Sequence, residues 1–217
     1  MKNKLIDELL ENPIKFSKSK RKGYYLLEEF QKGLDLEQLV VLLENNNLLI
    51  VNIGVSISSE LKNEQCSYLL PYLLPLKEKI YDSLYFHYLI ESISKGTLIN
   101  NNEFFNIVNV LFENRIEFVI CAMHSIFLAN ENQLKNSLEY FQKLNHNICK
   151  NLLLLINYKD LDNNKIIELL NNQEYLDNLF GVIIAHRLYE IKPILIIESY
   201  KSPNETVIGY LNDYLRS

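Results

Sequence analysis

The chain has 217 residues, enough for one large domain or two small ones with a substantial core. Its composition is 48% hydrophobic and 23% charged, with six glycines and five prolines, too few for an all-β fold built on many tight turns. The net charge of −5 is uneven: residues 1–22 hold seven basic and three acidic side chains, the rest 15 basic and 24 acidic, a balance opposite to that of a duplex-binding protein.

The basic stretch 15–22 reads as a charged approach to a first firm helix at 22–31, where Tyr24, Leu27 and Phe30 fall three apart. Gly33 is suited to close that helix in the left-handed conformation. Asp35 with Gln38 three residues on predicts a capping box, opening a helix striped by Leu36, Leu39, Val40 and Leu43. Segment 48–61 fits two patterns. Leu49, Val51, Ile53, Val55 and Ile57 alternate as in a strand, while Leu49, Ile53, Ile57 and Leu61 recur every four as on a helix face. Helix is preferred, because three later segments are spaced only as helices. They are 81–93 (Phe86, Leu89, Ile90, Ile93), 116–128 (Ile116, Val119, Ile120, Met123, Phe127) and 175–191 (Leu176, Leu179, Phe180, Ile183, Ile184, Leu188, Ile191). Shorter helices are expected at 67–74, 102–112, 131–144, 147–157 and 163–171, with Pro71 and Pro75 kinking or ending the first. Ser202-Pro203-Asn204-Glu205 predicts a last helix with Ser202 as N-cap, presenting Val207, Tyr210, Leu211, Tyr214 and Leu215.

Four of the long segments follow a Leu-Leu-polar run or its equivalent: Leu42-Leu43-Glu44, Leu73-Leu74-Pro75, Val110-Leu111-Phe112 and Leu169-Leu170-Asn171. A helix end, a polar turn and a second helix, repeated, is the signature of helical repeats. The spacings are unequal, and the chain has no tryptophan, which a tetratricopeptide pattern calls for. The expected fold is therefore all-α, with irregular HEAT-like helical hairpins forming a short α-solenoid. No Gly/Ser-rich or Pro-rich linker interrupts it, so residues 1–217 are expected to form a single domain, with 1–22 as a basic N-terminal segment.

Catalytic signatures are missing from the sequence. There is no GxxxxGK[ST], GxGxxG, GxSxG or HExxH, and the glycines are isolated. Cys121 and His124 lie three apart on one predicted helix, but zinc needs three or four ligands and no second pair completes a set. His186 and Glu190 read as i,i+4 neighbours on a wet face. The expectation is a non-enzyme without catalytic residues, metal or cofactor. No apolar run approaches the roughly 18 residues of a membrane span, and the N-terminus turns acidic before any signal-like apolar core. Cys66, Cys121 and Cys149 are odd in number and widely spaced, so a reducing cytoplasm is the expected compartment.

The second helices of stacked hairpins line one surface, usually concave, which partners use. On that strip the sequence predicts Asn52, Ser56 and Glu60, then Tyr85, Tyr88, Glu91 and Ser92. Glu117, Cys121, His124 and Ser125 follow, then Asn178, His186 and Glu190. The strip is acidic and aromatic. Tyrosine, with 14 copies, buries a flat area while keeping a polar handle, though at most a third of the tyrosines are expected to face a partner. An acidic body suits a basic partner, because opposite potentials speed encounter.

The run Gly23-Tyr24-Tyr25-Leu26-Leu27-Glu28-Glu29-Phe30-Gln31-Lys32-Gly33, then Leu36-Glu37-Gln38-Leu39-Val40-Val41-Leu42-Leu43, then Ser56-Ile57-Ser58-Ser59-Glu60-Leu61, resembles a group of small bacterial HEAT-like proteins. Several of these sit beside polymorphic or contact-dependent growth-inhibition toxins and resemble their immunity proteins. The similarity spans about residues 23–95; where relatives often carry an aromatic before the Ser-Glu-Leu run, this chain has Val55 or Ile57. The resemblance implies a cytoplasmic protein that binds and neutralises one cognate toxin domain, basic and plausibly a nuclease, without contacting nucleic acid or membrane. Two alternatives stay open. One is a HEAT-like DNA-binding protein of the alkyl-base glycosylase type, favoured only by the basic cluster at 15–22; the other is a scaffold with no inhibitory role.

Overall fold

Helix caps and apolar spacing account for most of the architecture in the computed structural model, which describes residues 3–215 apart from the Lys20 side chain; Lys2 lies outside the described residues. Every regular element among them is helical, and none is a strand. The chain divides into two compact units, Met1–Asn100 and Asn101–Ser217. No helix is long and apolar enough to cross a membrane among the described residues.

The N-terminal unit begins with two helices where the sequence suggested only a charged approach: α1 (Lys4–Glu11) and α2 (Pro13–Ser17). Asn3 caps α1 by accepting from the Leu5 amide at 2.9 Å. Asn12 caps α2 by accepting from Lys15 at 3.0 Å, with Pro13 at the first helical position, where its missing N–H costs nothing. Ile6, Leu9 and Phe16 are buried, so this basic stretch is part of the unit's core. Lys22 pairs with Glu8, which holds the Glu8 carboxyl below its usual range.

Helix α3 (Lys20–Gln31) ends as predicted at Gly33, whose φ of +103° only glycine adopts without strain. The Gly33 and Leu34 amides donate back to Phe30 and Glu29 at 3.1 and 2.9 Å, closing a Schellman end. The capping box expected at α4 (Glu37–Leu43) does not form. Asp35 accepts from the Glu37 amide, but the Gln38 carboxamide oxygen accepts instead from the Asn3 amide at 3.3 Å, a donor supplied by the unforeseen N-terminal segment.

Helix α5 (Leu48–Ser59), capped by Asn47, resolves the strand-or-helix ambiguity as helix. It touches α2, α3 and α4, together with α6 (Asn63–Leu73) and α7 (Ser83–Thr97). That central position buries Ile50, Val51, Val55 and Ile57 around its circumference, which explains why its apolar pattern carries no single stripe. Pro71 lies in the last turn of α6 and Pro75 in the 3₁₀ turn Leu74–Glu78 that follows, as expected of chain-ending prolines. A Cβ added at Gly96 of α7 would meet the Cys66 carbonyl oxygen of α6 at 2.8 Å, so these helices approach to backbone contact.

In the C-terminal unit the helix expected over 102–112 is broken into a 3₁₀ turn (Asn101–Glu103), α8 (Phe105–Val108) and a second 3₁₀ turn (Asn109–Phe112). Helices α9 (Ile116–Leu128), α10 (Glu131–Lys143), α11 (Cys149–Ile156) and α12 (Asn163–Leu170) follow close to their predicted limits. Helix α13 (Tyr175–Arg187) stops four residues early, and Ile191, predicted to lie on its apolar stripe, is 76% exposed. Helix α14 (Ile194–Ser199) is absent from the sequence reading. Helix α15 (Glu205–Leu215) starts later than predicted: Asn204, not Ser202, accepts from the Thr206 amide at 3.0 Å, while Ser202 is buried and accepts from Asn204. Helix α13 is the hub, touching α9, α11, α12, α14 and α15, with Leu179 to Ala185 all buried. Each Leu-Leu run or equivalent singled out in the sequence does end a helical element that packs on the next one: α4 on α5, α6 on α7, Asn109–Phe112 on α9, and α12 on α13.

Candidate functional site

The residues predicted to face a partner divide between the two units. In the N-terminal unit Asn52, Ser56, Tyr85 and Tyr88 are partly exposed, while Glu60 is exposed. Glu91 pairs with Lys95 at 3.0 Å, and Lys95 also donates to the Ser59 carbonyl at the end of α5. Ser92 is buried, its hydroxyl donating to Tyr88 one turn earlier at 2.8 Å, so it is not a surface group.

Ser56 and Tyr85 are brought together by a groove of about 240 Å³ among α2, α3, α5 and α7. Its floor comes from Leu49, Ile53 and Ile57 of α5, and its walls include Phe16, Tyr24 and Tyr85. It lies along α5 where residues of α2, α3 and α7 border that helix. Tyr24 is 58% exposed and hydrogen-bonds Glu28, which pushes the phenol above its ordinary range. Glu28 is in turn held below its usual range, first by Lys32 and then by Tyr24. Edge-to-face contact between Tyr85 and Tyr88, with ring centroids 6.3 Å apart, steadies the opposite wall. Sequence reasoning missed the contribution of α2, because a five-residue helix shows no periodicity. The Asn12-Pro13 pair, cap followed by first-turn proline, was the legible signal.

Of the predicted set in the C-terminal unit, Cys121, Ser125 and Asn178 are buried, while His124 and His186 are half-buried. Glu117 and Glu190 are exposed. Asn178 is 5% exposed, and its amide nitrogen donates to the carbonyls of Leu169, Leu170 and Asn172 at 2.7–3.1 Å, tying off the end of α12. Cys121 and Ser125 are buried because α8, α13 and α15 surround α9. Burial pushes the Cys121 thiol up to about 12 and the Cys66 thiol up to about 11, so both are inert as nucleophiles.

His124 and His186 belong to a closed circle of rings. His124 stacks on Tyr214 at 3.8 Å and faces Phe127 at 5.9 Å; Phe127 stacks on His186 at 3.8 Å. The His186 Nδ1 lies 2.7 Å from the Tyr210 hydroxyl, and Tyr210 leans on Tyr214 at 5.3 Å. Burial lowers His186 and raises Tyr210, favouring the neutral form of each. This circle locks α9, α13 and α15 together. Among the described residues no group of three or more His, Cys, Asp or Glu is positioned to hold a metal ion.

No protein-family model, no curated protein and no solved structure matches the chain.

Proposed function

We propose that the chain is a HEAT-like helical binding module that captures and neutralises a cognate bacterial toxin domain. The observation that carries this reading is the groove of the N-terminal unit, where two predicted partner-facing residues, Ser56 and Tyr85, meet Tyr24 over an apolar floor. A concave apolar site with a few polar groups and aromatic walls is what a protein anchor requires. The sequence resemblance to immunity proteins, over about 23–95, falls within this same unit. Charge in this unit is divided: residues 23–100 carry five basic and ten acidic side chains, with Asp35, Glu37, Glu44, Glu60, Glu64 and Glu78 exposed, while residues 1–22, which supply Phe16, Ser17 and Ser19 to the groove, carry seven basic and three acidic. The acidic portion favours a basic partner by steering its approach.

The test is co-expression with the product of the adjacent upstream reading frame. The expected result is co-purification of the two proteins, rescue of growth from that product's toxicity, and capture that weakens as salt is raised. A partner captured without any salt dependence would remove the electrostatic part. A non-toxic neighbour that does not co-purify would overturn the immunity reading.

A further inference from the structure

We infer that a cavity beside Arg187, in the C-terminal unit, binds a small organic carboxylate. The inference is independent of the binding reading above, which concerns the N-terminal unit. The cavity measures about 350 Å³, within the roughly 300–1,000 Å³ of small-molecule sites. Arg187 lines it, and the Arg187 Nε and Nη2 donate to the carbonyls of Phe127, Ile126 and Ala129. The Tyr158 ring centroid lies 5.4 Å from the guanidinium carbon. Among the described residues no hydrogen bond engages Nη1, and no carboxylate forms an ion pair with the guanidinium. Burial pulls this group below its ordinary range, so dipolar neighbours compensate its charge only in part. An anion in the cavity would supply the missing counter-charge and accept a charge-assisted hydrogen bond from Nη1.

The other charges around the cavity select the kind of anion. Lys159 adds a second cation, exposed, with its ammonium 5.9 Å from the Tyr158 ring centroid. Two carboxylates also border the cavity. Glu131 pairs with Lys135 at 2.5 Å, which holds its carboxyl below the usual range. Asp160 is exposed and forms no ion pair among the described residues. With Glu131 answered by Lys135, the two cations exceed Asp160 by one charge. A single negative charge meets that excess, whereas a phosphate dianion would overshoot it beside Asp160. A carboxylate carries one charge on a planar group that guanidinium N–H donors fit. Leu134, Ile156 and the Tyr158 ring offer apolar contact to a short hydrocarbon or aromatic body attached to it.

The probe is benzoate, titrated into the full nitrogen-15-labelled chain while the Arg187 Nε–H resonance is followed by NMR. A saturable shift is expected, with an affinity that falls as chloride is raised. Lys159→Glu should weaken binding roughly tenfold and Asp160→Asn should strengthen it roughly threefold, opposite effects that a cavity accepting any apolar molecule would not show. Both positions are exposed, so both variants should fold, as circular dichroism would verify. Benzamide, the neutral analogue, should bind roughly tenfold more weakly than benzoate. An Arg187 resonance that ignores benzoate would leave this side chain as a cap of α9 alone and overturn the proposal. Unchanged affinity in both variants, or benzamide binding as well as benzoate, would do the same. Tighter binding of inorganic phosphate than of benzoate would overturn the choice of a carboxylate. The immunity reading stands or falls separately, on co-purification.

Discussion

Single residues set how closely the helices approach. Gly96 and Gly23 both lie within helices, yet their surroundings differ. A Cβ at Gly96 would strike the backbone of α6, which cannot yield as a side-chain tip does, whereas Gly23 faces open space. Gly96→Ala should therefore cost about 1–3 kcal/mol, the usual range for overpacking. Gly23→Ala should gain roughly 0.5–1 kcal/mol from helix propensity alone. Urea denaturation of the two variants would show opposite shifts in midpoint. Asp177 is a second decisive position. Its buried carboxylate accepts from Asn151 at 2.6 Å, Asn172 at 2.8 Å and Lys150 at 3.0 Å. Asp177→Ala leaves two amides without their acceptor and should cost about 2–4 kcal/mol, visible as a lowered thermal midpoint.

At the scale of elements, Arg187 ends one helix by reaching from another. From the last turn of α13 its guanidinium donates to the carbonyls of Ile126, Phe127 and Ala129 at 2.7–3.0 Å, where α9 ends and its dipole is negative. Arg187→Met keeps the apolar stem but abandons those carbonyls, and should cost about 2–3 kcal/mol in an equilibrium unfolding measurement. The adjoining circle of rings makes the junction of α9, α13 and α15 sensitive to acid. Burial holds His186 below its ordinary value of 6.5, so the unfolded chain takes up that proton more readily than the folded one. The stability this group contributes is present above the ordinary value and is lost as pH falls through the lowered one. Unfolding midpoints should drop from about pH 7 to about pH 5, and His186→Phe should flatten that slope while lowering stability at neutral pH through loss of the Tyr210 hydrogen bond.

At the scale of the whole chain, each unit has its own central helix, α5 in one and α13 in the other, and its own buried apolar set. The sequence reading of one continuous domain and the division into two units lead to different outcomes on cutting. If the units are independent folding bodies, residues 1–100 made alone should retain helical circular dichroism and unfold cooperatively; loss of cooperativity in both fragments would favour the single domain.

Caps, turn residues and the 3.6-residue period are local, and they were legible from the amino acids alone. They specified an all-helical chain, the glycine stop at Gly33, the helix ends at the Leu-Leu runs, and helix for α5 once its neighbours in sequence were weighed. Helices α2 and α14, of five and six residues, hold too few turns for a period to emerge, and α1 was missed although it is as long as α11 and α12, which were found. Which polar residues face outward was not legible, since a helix buried on several sides carries polar groups inward wherever a carbonyl needs a donor. Ser92 and Asn178 show this, each satisfying backbone oxygens. The groove joining Ser56, Tyr24 and Tyr85 exists only in three dimensions. It is a matter of packing among α2, α3, α5 and α7, segments as far apart in sequence as Phe16 and Tyr85, that no local pattern encodes.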